Sequence, residues 1–191
     1  MNYVLIFIGA AVVNNFILSY FLGICPFLGV STDLKKASGM GFAVTLVMVI
    51  SASVTWGIYH KILVPYNMQY LQNVVFILVI ASLVQFVEMF LKKFIPPLYS
   101  GLGIYLPLIT TNCAILGLTL FMVIKNYDFI ESIFYAFGAG SGFLLALLIM
   151  AGIRERIDTA DIPAPFRGAG IALITAGCLA LIFMGFSGMM K

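Results

Sequence analysis

The chain has 191 residues, of which 63% are hydrophobic and only 9% charged, with a net charge of +3. Its mean hydropathy is +1.14. A water-soluble domain is excluded and no nucleic-acid partner is expected, so the lipid bilayer is the solvent. Lipid satisfies no backbone N–H or C=O group, and open strands would leave theirs unpaired. The expected fold is therefore an all-α polytopic membrane protein, with room for six transmembrane helices at roughly 20 residues each.

The first apolar run extends from Tyr3 to Phe27. It opens without a basic stretch and is interrupted by Asn14 and Asn15, which marks a retained span rather than a cleaved leader. It is long for one untilted span, and Gly23, Pro26 and Gly29 near its end loosen or interrupt a helix. A break is expected beside Cys25. Ser31 to Lys36 then separate it from the second run, Gly39 to Tyr59. His60, Lys61 and Pro65 precede the third run, Leu71 to Leu91, which ends on Lys92, Lys93, Pro96 and Pro97. Glu88 is the acid furthest inside an apolar stretch, with Gln85 one turn earlier, and an intramembrane carboxylate is a candidate for an ion path. Lys92 lies four residues on, so an interfacial Glu–Lys pair is the more ordinary reading.

The fourth run, Leu98 to Ile124, carries Gly101, Gly103 and Pro107 ahead of Thr110, Thr111, Asn112 and Cys113. A second break is expected there. Lys125 to Asp128 lead into the fifth run, Phe129 to Ile153, which has Glu131 at its start. The next connection holds Arg154, Glu155, Arg156, Asp158, Asp161 and Arg167, and is expected to be a solvated loop that docks neighbouring subunits. The sixth run, Gly168 to Met189, contains Cys178.

Lys and Arg set the orientation. Connections one, three and five hold Lys35, Lys36, Lys92, Lys93, Arg154, Arg156 and Arg167, against Lys61 and Lys125 in the other two. By the positive-inside rule, residues 31–38, 92–97 and 154–167 are expected on the cytoplasmic side and both termini outside.

Two cysteines sit in matching frames, Cys25-Pro26-Phe27-Leu28-Gly29 and Cys113-Ala114-Ile115-Leu116-Gly117. Three spans separate them, an odd number, so the two frames enter the membrane from opposite sides. Gly39-Met40-Gly41-Phe42 echoes Gly140-Ser141-Gly142-Phe143, and an Asn accompanies each cysteine, Asn14 or Asn15 and Asn112. The chain is therefore expected to be two inverted three-helix repeats, about 1–95 and about 96–191, with the first and fourth spans broken. Inverted repeats with broken helices place a site near the midplane. Soft thiolates there favour iron–sulfur clusters, zinc or copper(I), whereas two simply packed thiols are the plainer alternative.

Four thiolates are the rule for an iron–sulfur cluster, and this chain offers two in matching frames. Cys178 lacks the frame and is expected to be a packed core thiol. His60 is expected to be interfacial. The missing pair is expected from a partner chain of similar design, across a pseudo-twofold axis.

Longer stretches carry a resemblance. Val13 to Phe16, Phe21 to Ser31, Leu106 to Gly117, Arg154 to Arg156, Asp161 to Gly168 and Phe183 to Gly188 together resemble the A-type subunits of Rnf electron transport complexes. The likeness covers essentially the whole chain. The related E-type subunits of sodium-translocating NADH:quinone oxidoreductases share the architecture and are the alternative, but the spellings at these stretches are closer to Rnf.

The resemblance implies membership of a redox-driven translocase in a bacterial or archaeal cytoplasmic (inner) membrane, moving electrons between ferredoxin and NAD and coupled to Na+ or H+ transport. It implies pairing with an inverted homologue, the E-type component of Rnf, beside the B, C, D and G components. It also implies that Cys25 and Cys113 are ligands of an intramembrane [2Fe-2S] cluster shared with that homologue, so that the chain relays electrons and has no substrate pocket of its own. Asn15 and Asn112 would support the cluster. A secondary transporter, with incidental cysteines, is the rival from another class.

Overall fold

The computed structural model describes residues 3–94, 106–160, 163, 166 and 168–187. Gly101, Gly103, Pro96, Pro97, Asp161 and Arg167 lie outside the described residues. Every regular element among the described residues is helical. In chain order they are α1 (Tyr3–Ile8), continued by a π turn at Gly9–Val13, then α2 (Ile24–Val30) and α3 (Leu34–Ile58), continued by a π turn at Tyr59–Leu63. A 3-10 turn at Gln69–Leu71 leads into α4 (Gln72–Phe94), followed by α5 (Leu106–Thr110), α6 (Cys113–Ile124), α7 (Phe129–Asp158) and α8 (Ala169–Ser187). Four stretches are long and apolar enough to cross a bilayer: Leu34–Leu63, Gln69–Phe90, Pro107–Ile124 and Phe129–Ile157. Tyr3–Val13 and Ala169–Gly185 are shorter apolar helices.

The polar connections specify where helices start. The Asp33 carboxylate accepts a hydrogen bond from the Lys35 N–H at 2.9 Å and caps α3. The Asp128 N–H donates to the Glu131 carboxylate at 3.3 Å and so secures the start of α7. Glu131 thus serves its own helix. At the other end α7 runs on through Arg154 to Asp158, further than the apolar run alone indicates.

Helices in lipid gain little from hydrophobic association and pack closely through small residues. The central pair is α3 with α7. They run antiparallel, with Gly41 against Leu144, Gly140 against Thr45, and the Trp56 ring 5.2 Å from that of Phe129. Segment 3–13 lies along α7, where a Cβ on Gly138 would come 2.7 Å from the Phe7 carbonyl oxygen and one on Gly142 would overlap the Ala11 backbone. Met40 and Met48 of α3 and Phe143, Leu147 and Met150 of α7 are fully buried in this centre. Leu78 and Phe86 of α4 and Leu181 of α8 point outward, the apolar exterior a bilayer requires.

Candidate functional site

Each cysteine stands at the start of a helix that follows an interruption. After the π turn ends at Val13, Asn15 organises the first break. Its side-chain oxygen accepts from the N–H groups of Ile17 and Leu18, at 3.1 and 3.4 Å. Its amide nitrogen donates to the carbonyl of Gly142 on α7 at 2.7 Å and to that of Ala11 at 3.2 Å. A fully buried amide thus finds partners on both sides of the break, as burial of a polar group demands. Phe21 and Gly23 take left-handed backbone conformations, with φ of 56° and 83°, and turn the chain into α2. Cys25 is the second residue of that helix.

The position of Pro26 corrects the expectation from sequence. It lies in the first turn of α2, where its missing N–H removes no helical bond. The break is therefore made upstream, by the stretch from Asn14 to Gly23.

The second break is tighter. The Thr111 hydroxyl donates to the Pro107 carbonyl at 3.0 Å, and the Asn112 N–H to the Ile109 carbonyl at 3.2 Å. The Asn112 side-chain oxygen then accepts from the Ala114 N–H at 3.0 Å and caps α6. Cys113 is the first residue of that helix. Asn112 is buried, and its side-chain nitrogen has no hydrogen-bond partner.

The two breaks meet. A Cβ on Gly23 would lie 3.1 Å from the Asn112 side-chain oxygen, 3.2 Å from the Ala114 Cβ and 2.8 Å from the Phe143 ring. Gly23 precedes Cys25 by two positions, while Asn112 and Ala114 flank Cys113, so the two cysteine-bearing helix starts are neighbours. Gly117, in the first turns of α6, packs against Leu22 and Phe16 of the first break. Gly142 and Phe143 of α7 bracket the pair, one holding Asn15 and the other touching Gly23.

Both thiols are free and exposed on the chain surface. Among the described residues no group of three or more His, Cys, Asp or Glu side chains converges. The chain thus carries two exposed soft donors, one at each of two neighbouring helix starts.

Other candidates stand apart. Cys178 is exposed on α8, not packed in the core, because that peripheral helix buries only one side of itself. His60 is exposed and stacks on Trp56 with centroids 4.2 Å apart. Trp56 in turn donates to the Tyr127 carbonyl at 3.1 Å. Glu88 is half-buried on α4, one turn before Lys92, and takes no part in the contacts that join the two breaks. Sequence reading missed Arg154, which is not a solvated loop residue. Its guanidinium donates to the Leu28 carbonyl at 2.7 Å and to the Ser31 hydroxyl at 3.0 Å. No local signal marked it, because Arg154 stands in a charged Arg154-Glu155-Arg156 run and its partners lie more than a hundred positions away.

This geometry defines a class: a helical membrane protein in which two interrupted helices each present a thiol at a fresh helix start. Residues 3–190 match the Rnf-Nqr family of membrane protein subunits, and the chain belongs to that family. It is 56% identical over 188 residues to the A component of the ion-translocating oxidoreductase complex of Syntrophotalea carbinolica, covering 98% of this chain and 97% of the relative. It is 54% identical over 189 residues to the A component of the Na(+)-translocating ferredoxin:NAD(+) oxidoreductase complex of Acetobacterium woodii, covering 99% and 98%. The corresponding component from Aeromonas hydrophila, named like the first, is 52% identical over 190 residues, covering 100% and 98%.

Proposed function

We propose that this chain is the A component of an ion-translocating ferredoxin:NAD oxidoreductase complex, and that it holds half of a [2Fe-2S] cluster inside the membrane. The observation that carries the reading is the meeting of Gly23 with Asn112 and Ala114, which makes neighbours of two helix starts that each carry an exposed thiol. Full-length identity to components of that name supports the complex; the donor pair supports the metal.

On this reading Cys25 and Cys113 are the iron ligands, with Asn15 and Asn112 fixing the backbone that presents them. The inverted homologue, the E-type component, contributes the other two thiolates, and the B, C, D and G components complete the assembly. The chain crosses the cytoplasmic (inner) membrane six times as two inverted repeats, 1–95 and 96–191, with both termini outside. A [2Fe-2S] centre, when bound, supplies a one-electron carrier. The chain's own part is to bring sulfur to the midplane, exclude water with the surrounding helices, and point helix starts at an anionic group, which tunes its potential. Electron flow is coupled to Na+ or H+ movement in the complex, for which Glu88 is this chain's candidate residue.

The test is co-expression with the partner subunits, followed by iron analysis and EPR. The reading predicts an iron–sulfur signal that Cys25→Ser or Cys113→Ser abolishes, together with ferredoxin:NAD electron transfer. Solute transport by an iron-free chain would support a secondary transporter instead.

A further inference from the structure

The helix that carries Cys25 is short, and it is held by the burial of Phe27 and Val30 and by polar ties at its end. At seven residues, α2 is below the length at which a helix sustains itself, so tertiary ties must hold it. Its last four carbonyls have no partner within the helix. One of them, Leu28, receives the Arg154 guanidinium at 2.7 Å, and the same nitrogen reaches the hydroxyl of Ser31, the buried residue that closes α2, at 3.0 Å. A permanent cation at a helix C-terminus is favourable, and a planar guanidinium fixes its acceptors in direction as well as distance.

The opposite flank of the Cys25 segment is tied to the same helix. Asn15 donates to Gly142, and Gly142 and Arg154 both belong to α7, about 18 Å apart along its axis. The stretch from Asn15 to Ser31, which packs Phe16, Leu18 and Phe27 into the core between, is therefore also tied by hydrogen bonds at both ends to one rigid element. Leu28 is a single turn beyond Cys25, about 4.5 Å of helical rise, so a displacement at that end moves the thiol with it. Cys113 differs. It opens a helix of twelve residues that packs on α3 and α4 and makes no use of Arg154.

We propose that Arg154 is a positioning residue for Cys25: by gripping the carbonyl end of α2 it sets where that thiol stands relative to Cys113. Its consequence for electron transfer rests on the reading of Cys25 as an iron ligand. The geometric claim does not.

Two measurements separate these levels. In the full-length, metal-free chain in detergent, maleimide labelling of each cysteine is followed by mass spectrometry, with Cys113 as the internal standard. Because the Cys25 thiol is already exposed, the positioning role predicts a changed Cys25 to Cys113 rate ratio, not a gain of access: Arg154→Gln is expected to shift it more than twofold from the parent. Arg154→Lys and Ser31→Ala should shift it in the same direction and by less. Where Arg154→Gln fails to accumulate, the Lys and Ser31→Ala variants decide. In the assembled complex, Arg154→Lys is expected to retain iron while changing the EPR line shape of the intramembrane signal. Labelling ratios within twofold of the parent in all accumulating variants overturn the positioning role. Retention of iron by Cys25→Ser overturns the ligand assignment instead, and leaves the labelling result to stand by itself.

Discussion

Gly23 and Asn112 come from opposite halves of the sequence, yet a Cβ on the glycine would stand only 3.1 Å from the asparagine's side-chain oxygen. The same glycine has φ of 83°, so it is held by conformation and by space together. Gly23→Ala is expected to cost about 1–3 kcal/mol from backbone strain alone. It should also push the two helix starts apart, and a lowered thermal midpoint in detergent with reduced iron in the complex checks both effects.

The Asn112 side chain acts on α6 through one atom, its cap oxygen. Asn112→Ala should cost about 0.5–2 kcal/mol, the usual loss of an N-cap, whereas Asn112→Ser keeps an acceptor and should retain most of the stability. Comparing the two thermal midpoints tests whether the cap is the structural role.

Asn15 is the more exacting residue, since it is fully buried and its amide binds both sides of the break. Asn15→Asp removes the donor and confronts the Gly142 carbonyl with a second acceptor in an apolar centre. Buried polar groups left unpaired cost about 1–3 kcal/mol, and more when charged. We expect Asn15→Asp to abolish accumulation in the membrane and Asn15→Ala to reduce it, measured by quantitative blotting of membrane fractions.

The approach of segment 3–13 to α7 depends on Gly142, whose added Cβ would overlap the Ala11 backbone. Gly142→Val is expected to destabilise the chain by about 1–3 kcal/mol through overpacking and to displace Asn15 with it. At Gly152, inside α7, nothing lies within reach of an added Cβ, so Gly152→Ala should raise the melting temperature slightly, alanine being about 0.5–1 kcal/mol better than glycine in a helix interior.

Much of this was visible in the residues. The glycines and prolines around the repeated Cys-x-x-Leu-Gly frame pointed to a break beside each cysteine, but Asn112 was expected to support a cluster and proves to cap α6, as an Asn before an apolar run does. The first break was legible in part. Asn15 and Gly23, both named from the sequence, lie in the bend, whereas Pro26 and Gly29 fall inside α2, and a left-handed Phe21 has no signature in a single sequence. Cys178 was expected inside because cysteine is often buried, but an outer membrane helix exposes most of its surface to lipid. Arg154 looked like part of a polar loop. Its partners, Leu28 and Ser31, lie more than a hundred positions away, and no local pattern announces such a contact.

The most direct measurement is the iron content and EPR spectrum of the purified complex carrying Cys25→Ser, Cys113→Ser or Cys178→Ser, each compared with the parent. The account predicts that either of the first two loses the intramembrane [2Fe-2S] signal while Cys178→Ser keeps it in full. A complex that retains that signal and its iron with both Cys25 and Cys113 replaced would contradict it.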